Sequence, residues 1–371
     1  MNKKKVLIDI YYLHVAQTGI KTYAETLYQQ ALADKGDDFE FIISPDPEKI
    51  RKSKFFKGKT PKWKNLLFQA QYFLRKQLVL PFLSYRHKAD VVFCPDIMIP
   101  LWGRGKRVSV IHDAFFWESP EHYHPLWLKY YLTFLKIGLG EKGRVITITD
   151  FSKSRLHKHL GSNIQIDVAW PSSSLPSLLE KSQLPDLVGS PYFLHVGVLE
   201  KRKNLSLLVE AFSLFVKEQP QYKLVLVGQR GPRKTLDDYD DLAHMIEKLA
   251  LNNKVILTGH VDYSVLQSYY KHAIGYVFPS KNEGFGLPVL EAFAYGLPVL
   301  ITPQGALMEV GGDAVLIAEA NPTALSEKML LLAQDESLQN TLREAGSQRL
   351  KEFTPEKFFI SLKDILKKYG N

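Results

Sequence analysis

Cysteine is almost absent from this 371-residue chain: Cys94 stands alone, so neither an intramolecular disulfide nor a thiolate zinc site can form. The eleven His include no pair at HExxH spacing, and no protein-held metal is expected. Without disulfides, a reducing, cytosolic setting is the default expectation. Long apolar runs are missing too, and none approaches the ~20 residues of a membrane span. The one stretch with the look of a signal peptide, residues 6–16 behind Lys3–Lys5, is broken by Asp9 and His14 and has no small-residue cleavage site after it. The chain is therefore expected to be soluble, with a peripheral membrane contact left open. Glycine fingerprints for nucleotides are absent as well. No GxGxxG occurs, and Lys57-Gly58-Lys59-Thr60 has Ser53 where a P-loop needs its first glycine and no strand ahead of it. A P-loop ATPase and a simple dehydrogenase are both disfavoured.

What is present is an ordinary globular composition, 45% hydrophobic and 23% charged, long enough for two domains. The net charge of +9 is unevenly spread. Residues 1–110 hold 20 Lys+Arg against 10 Asp+Glu, which leaves the remainder close to neutral. Eight of these cations fall in residues 49–64 with no acid among them, interleaved with Phe55, Phe56 and Trp63. Residues 63–83 then read as one or two helices with Leu66, Leu67, Ala70, Phe73 and Leu74 on a shared face. A basic segment beside such a helix suits an anionic membrane surface, nucleic acid or a solvated loop.

Strand and helix signals alternate along the chain. Strands are expected at 5–10, 39–43, 89–93, 107–111 and 144–148, with helices at 20–35, 125–139 and 152–160. From Trp170-Pro171 a Ser-, Pro- and Leu-rich stretch reads as a linker. The alternation then restarts, with strands at 192–196, 223–227, 254–257, 275–278 and 298–301 and helices between and after them. A basic amphipathic helix at 355–369 ends the pattern. Continuous apolar strands joined by helices imply parallel sheets covered on both faces. The expected fold is thus α/β, with two doubly wound domains facing across a cleft: residues 1–171, a linker at 172–190, residues 191–353, and 354–371 packing back on the first domain. Ligands of such sheets bind beyond the carboxyl ends of the strands.

The strongest constellation is Glu283-Gly284-Phe285-Gly286-Leu287-Pro288-Val289-Leu290-Glu291, between a strand and a helix. Its glycines free the backbone to approach a ligand, Pro288 fits a first helical turn, and exposed helix N–H groups suit anions or hydroxyls. Glu283 lies in the loop and Glu291 about one turn into the helix, so the two carboxylates are placed to grip separate hydroxyl pairs. Taken alone, Glu291 reads equally well as a residue that caps its own helix or pairs with a Lys. The stretch EGFGLPVLEAFAYGLPVL resembles the E-x7-E signature of retaining nucleotide-sugar glycosyltransferases of the GT4-like, group 1 family, which has the GT-B fold of two Rossmann-like domains.

Other segments match that family in the same order. His195–Asn204 (HVGVLEKRKN) is similar to its phosphate segment, and by that resemblance Lys203, with Arg202, binds the donor diphosphate. Val198 stands where the family often has Arg. Thr18-Gly19-Ile20 resembles the first-strand glycine loop, in which Gly19 lets backbone meet the diphosphate. Ile111-His112-Asp113 resembles the acceptor-side histidine segment, which makes His112 and Asp113 catalytic candidates together with Glu283. Gly259-His260-Val261 is similar to the segment that holds the nucleobase through backbone, chiefly at Gly259 and Val261. Gly284, Phe285, Gly286, Leu287 and Glu291 complete the implied donor site, with Glu291 on the ribose and Glu283 on sugar hydroxyls. Ser152 reads as an N-cap, and Trp170-Pro171-Ser172 replaces the family's usual Asn-Gly pair.

The implied activity is retaining transfer of a hexose, mannose being favoured, from a GDP- or UDP-linked donor to a saccharide or lipid-linked acceptor in polysaccharide or lipopolysaccharide synthesis. No cofactor or metal is expected, and the setting would be the cytoplasm or the inner face of the plasma membrane. Residues 49–87 are the candidate membrane contact. The alternatives are a nucleotide-sugar epimerase of the same fold and a nucleic-acid binder. The latter is disfavoured because the charge is local and no recognition motif accompanies it.

Overall fold

The computed structural model describes residues 3–16, 18–53, 61–140, 142–173, 190–231 and 234–369. The chain divides into two compact units, Met1–Ser174 with Phe353–Asn371, and Leu175–Glu352.

The first unit is built on six parallel strands: β1 (Lys4–Asp9), β2 (Phe39–Ser44), β3 (Val91–Cys94), β4 (Lys106–Val110), β5 (Gly143–Thr147) and β6 (Ile166–Val168), in the order β2-β1-β3-β4-β5-β6. Val6, Leu7 and Ile8 are fully buried, as are Val91, Phe93 and Cys94 on the neighbouring strand. Helices cover both faces, and this is why strands such as β1 and β3 bury successive residues rather than alternate ones. The order reverses between β1 and β3, which is the switch point of this sheet.

The last helix, Pro355–Tyr369, belongs to this unit. Phe358 packs edge-on to Tyr23 with ring centroids 5.0 Å apart, and Phe359 lies 5.4 Å from Phe41. Lys363 pairs with Asp34 at 2.8 Å, and the Tyr369 hydroxyl donates to Asp167 at 2.7 Å. Ser172 and Ser173 are buried in the same unit, so the first two residues of the expected linker are part of a packed domain. Residues 174–189 of that linker lie outside the described residues, as do 54–60 of the basic block, Lys57-Gly58-Lys59-Thr60 included.

The helical stretch at 62–86 carries apolar side chains on both its buried and its outer face. It runs as a helix over Lys62–Leu74, a π turn over Arg75–Val79 and a helix over Leu80–Arg86. Phe68, Tyr72, Lys76, Leu80 and Ser84 all point inward at a spacing of four. With 3.6 residues per turn, an ideal helix would drift by about 40° at each such step. The wider π turn absorbs part of the drift and keeps Lys76 and Gln77 inside. Outward go Trp63, Leu66, Leu67, Leu74, Leu78 and Phe82, with Leu66 73% and Phe82 60% exposed. Among the described residues no helix is long and apolar enough to cross a membrane.

The second unit repeats the architecture with β7 (Tyr192–Val196), β8 (Lys223–Val227), β9 (Val255–Gly259), β10 (Gly275–Phe278), β11 (Val299–Ile301) and β12 (Val315–Ile317), in the order β12-β11-β10-β7-β8-β9. Helix Leu205–Glu218 buries Leu208, Val209, Phe212 and Phe215 against one face. Each such large side chain contributes about 1.5–3 kcal/mol relative to exposure. The switch point here lies between β7 and β10, so the loops after Val196 and after Phe278 meet there.

Candidate active site

The loop after β7 is held close to the end of β8. Gly197 N donates to the Val227 carbonyl at 2.9 Å, and a Cβ on Gly228 would fall 1.7 Å from the Gly197 oxygen. No side chain fits there. The chain then forms a tight turn, Lys201–Lys203, and enters its helix through Asn204 in the left-handed region at φ 56°. This turn tucks the Lys203 side chain inward, leaving it only 7% exposed.

The loop after β10 approaches from the other side. Lys281 N donates to the Arg202 carbonyl at 2.9 Å, which fastens the two loops together. Three donors converge on a single oxygen, Oε1 of Glu283: Lys203 Nζ at 2.7 Å, an Arg202 terminal nitrogen at 2.9 Å and Ser280 Oγ at 2.8 Å. Arg202 Nε also donates to Glu200 at 2.7 Å, and Lys203 Nζ sits 4.6 Å from the centre of the Phe278 ring. Burial pushes the Glu283 carboxyl up, but Lys203 and Arg202 outweigh it and hold the group below the usual carboxylate range. The carboxylate is ionised, and both cations are fixed by it.

Two further glycines set this geometry. Gly286, at φ 105°, begins the helix Leu287–Ala294 with Pro288 in its first turn. Gly305, which the sequence reading missed, has φ 67°, and a Cβ there would meet Glu283 N at 2.7 Å and its carbonyl at 3.0 Å. Its neighbour Ala306 N donates to that carbonyl at 3.0 Å. A glycine just beyond a buried apolar strand end was the available signal, for Gly305 as for Gly228. Gly284 and Leu287 are half-buried, whereas Phe285 is buried.

Glu291 has a different environment. Its Oε2 accepts from the Tyr270 hydroxyl at 2.9 Å, and among the described residues it neither caps a helix nor pairs with a Lys. Burial drives its carboxyl above the usual range. Two carboxylates eight residues apart thus have opposite tendencies, one held ionised by cations and one pushed toward neutrality. At the end of β9, Gly259 has φ 70° with open space where a Cβ would stand, and its carbonyl accepts from Gly228 N at 3.1 Å. His260 beyond it is exposed and Val261 half-buried.

In the first unit, His112 follows β4. Its ring lies edge-on to Tyr23 at 5.2 Å, and its Nε2 is shielded with no hydrogen-bond partner among the described residues. Burial lowers its pKa to about 4, so the imidazole is neutral at pH 7. Ser152 does not cap its helix: Thr149 does, accepting from Ser152 N at 3.0 Å. Ser152 instead donates its hydroxyl to the His112 carbonyl at 3.1 Å and so positions the histidine. Asp113 accepts from Phe115 N at 3.0 Å within its own turn. Gly19 is half-buried in the first turn of the helix Thr18–Ala33.

A second charged cluster, unforeseen from sequence, fills the β1/β3 switch point. Lys76 Nζ lies 2.9 Å from both Asp9 and Asp96, Arg75 Nε is 2.8 Å from Asp9, and the Tyr72 hydroxyl donates to Asp96 at 2.7 Å. Asp9 and Lys76 are fully buried. Burial disfavours every charge here, yet the cations hold Asp9 below its usual range, while Asp96 stays above it. An Asp closing an apolar strand and an Arg-Lys pair inside an apolar helix were the traces it left in the sequence.

Residues 179–349 match the model of the glycosyl transferases group 1 family. The chain is 31% identical over 261 residues to O-antigen chain mannosyltransferase B of Escherichia coli, an alignment covering 68% of this chain and 67% of that one. The chain belongs to the glycosyl transferases group 1 family. It is 29% identical to the capsular polysaccharide biosynthesis glycosyltransferase CapM of Staphylococcus aureus, over 60% of this chain and 61% of that relative. Its fold matches that of sucrose-phosphate synthase from Thermosynechococcus elongatus with a TM-score of 0.69 and 20% identity, covering 99% of this chain and 98% of that one. This group 1 glycosyltransferase therefore has the GT-B fold, with two Rossmann-like domains. The segment matched by the family model contains Arg202, Lys203, Gly259, Glu283 and Glu291.

Proposed function

We propose that this glycosyltransferase moves a mannosyl residue, with retention, from a nucleotide-sugar to a saccharide or lipid-linked acceptor in cell-surface polysaccharide synthesis. The observation that carries the reading is the convergence of Arg202 and Lys203 on Glu283 at the switch point of the second sheet. Breaking the bond between the sugar and a nucleoside diphosphate leaves about two negative charges on the leaving group. At an effective dielectric of ~20, one cation at ~4 Å offsets roughly 4 kcal/mol of that. Arg202 and Lys203 receive the diphosphate. The base lies along Gly259 and Val261, the ribose on Glu291, and the sugar hydroxyls on Glu283 and the backbone of Gly284–Leu287. As the C1–O bond to phosphate breaks, the acceptor oxygen bonds C1 from the same face, and its proton passes to the departing phosphate oxygen. Neutral His112, with Asp113 beside it, orients the reacting sugars. The mannosyl assignment rests on the name of the Escherichia coli relative.

A membrane-surface setting on the cytoplasmic side is part of the reading. It is supported by the apolar stripe Trp63, Leu66, Leu74, Leu78 and Phe82, a pattern suited to lying in a bilayer interface.

The test is thermal shift and turnover with GDP-mannose, UDP-glucose and UDP-N-acetylglucosamine in EDTA, with the product anomer read by NMR. Stabilisation by GDP-mannose, lost in Lys203→Ala, and an α product support the reading. An inverted product overturns retention. Release of nucleoside diphosphate with no acceptor present, accompanied by an altered free sugar, points to an epimerase instead.

A further inference from the structure

At the opposite end of the first sheet from its switch point lies a cavity of about 220 Å³, lined by Ala89, Asp90, Arg104, Gly105, Lys106, Lys142 and Tyr369. It gathers the turns that lead into β3, β4 and β5. Its three cations form no ion pair among the described residues. Its one carboxylate, Asp90, accepts from Lys5 N at 2.9 Å. Tyr369 is buried and turns its hydroxyl away to Asp167 at 2.7 Å. Gly105, at φ 82°, brings backbone against backbone: a Cβ there would lie 2.5 Å from the Asp90 carbonyl. Three cations against one carboxylate leave the described lining with a net positive charge, which is the chemistry of a phosphate site.

Its location narrows the source of that phosphate. Arg104 N donates to Ser84 Oγ at 2.9 Å, and Trp102 Nε1 donates to the Gln77 carbonyl at 2.9 Å, so segment 101–104 is laid along the outward-facing helix. The Trp102 and Tyr85 rings lie 6.4 Å apart, and both are at least half exposed. The basic cavity therefore sits at the rim of the exposed stripe that ends in Leu78, Phe82, Tyr85 and Trp102. Apolar side chains next to cations match a bilayer interface, where acyl chains adjoin anionic headgroups.

We propose that Arg104, Lys106 and Lys142 form a binding site for the phosphate headgroup of an anionic phospholipid, seated while the neighbouring stripe enters the interface. The site is separate from the donor site. It rests on the membrane-surface reading above and adds to it a headgroup-selective pocket.

The experiment is co-sedimentation of the full chain with phosphatidylcholine vesicles, with and without phosphatidylglycerol. The variants are Arg104→Gln/Lys106→Gln/Lys142→Gln and, as a charge-matched control, Lys217→Gln/Lys248→Gln/Lys351→Gln in the second unit. At about fivefold per cation near the surface, the pocket variant should lose its preference for anionic vesicles by about two orders of magnitude and keep its residual binding to neutral ones. The control should retain the preference. Thermal unfolding is compared for all proteins, and single Lys142→Gln replaces the triple variant if that one unfolds early. Equal loss in pocket variant and control overturns the pocket, leaving only general charge. Wild-type protein that binds neither vesicle overturns the membrane reading itself. Glycerol 3-phosphate that stabilises the wild type, with no vesicle preference, overturns the lipid assignment in favour of a soluble anion.

Discussion

Replacing Lys203 by Met keeps the bulk of the side chain and removes its charge from a site where lysine and glutamate side chains are 7% and 10% exposed. At 2.7 Å and an effective dielectric of ~20, the gross attraction lost is about 6 kcal/mol, much of it offset by the burial the lysine no longer suffers. Removing one partner of a buried pair costs 3–5 kcal/mol. Because Arg202 and Ser280 still reach Oε1, about 3 kcal/mol is the expected loss, roughly 6–12 °C in the melting of the second unit. The variant also reshapes pH dependence. Glu283 is held low in the folded chain, so the stability it supplies is present above its unfolded pKa and lost as pH falls through the folded one. Without Lys203 the folded pKa rises, and acid unfolding begins at higher pH. Adding Glu283→Gln removes a buried carboxylate left with one of its two cations, so the double variant should recover part of the stability. It should not recover the donor: kcat/KM with the nucleotide-sugar is expected to stay about 10²–10³-fold down in both. Calorimetry across pH and steady-state kinetics read the two effects separately. A double variant that regains nucleotide affinity along with stability would refute the reasoning, because Lys203 would then act only by neutralising Glu283.

Other outcomes follow from single contacts. His112→Gln removes a histidine whose pKa falls to about 4, so the loss of stability as pH drops from about 6.5 toward 4 should shrink by up to roughly 3 kcal/mol, measured by urea unfolding at several pH values. Tyr270→Phe deletes the bond that restrains Glu291, and the pH below which donor binding weakens should move upward in titration calorimetry. Gly305→Ala forces a side chain against Glu283 N at a left-handed φ and should cost about 1–3 kcal/mol while lowering turnover; an unchanged melting temperature would contradict this. Leu78→Ser/Phe82→Ser should leave stability within about 0.5 kcal/mol, as for exposed positions, and weaken vesicle binding severalfold.

Ten strands were legible because buried parallel strands are near-continuous apolar runs. The edge strands β6 and β12 were not, since three residues are too few to carry a pattern. Helix Glu336–Leu350 escaped for the opposite reason: its sequence, ESLQNTLREAGSQRL, is polar on most sides and buries only Gln339, Leu342 and Gly346. In the candidate site, Arg202, Lys203 and Glu283 were legible as residue types beside glycines, but the ion pairs among them were not, because 80 residues separate the partners. Ser152 and Gly305 act through backbone atoms of His112 and Glu283; a glycine past a strand end hinted at the second, and nothing local marks the first. The helix at 62–86 misleads any reading that assumes apolar residues face inward. Its buried face carries Lys76, compensated by Asp9 and Asp96, which come from strands far away in sequence.

The carboxylate that gathers the two cations also cancels them. Arg202, Lys203, Glu283 and Glu200 together carry no net charge. A stray chloride or phosphate arriving at this cluster gains little from Arg202 and Lys203, because their attraction is already directed inward. Only a ligand that brings its own charges, together with a base and a sugar to fill the neighbouring contacts, offers those cations a second anion worth sharing. The cluster is thus close to electrically quiet, and its positive charge becomes visible to a partner only at contact distance.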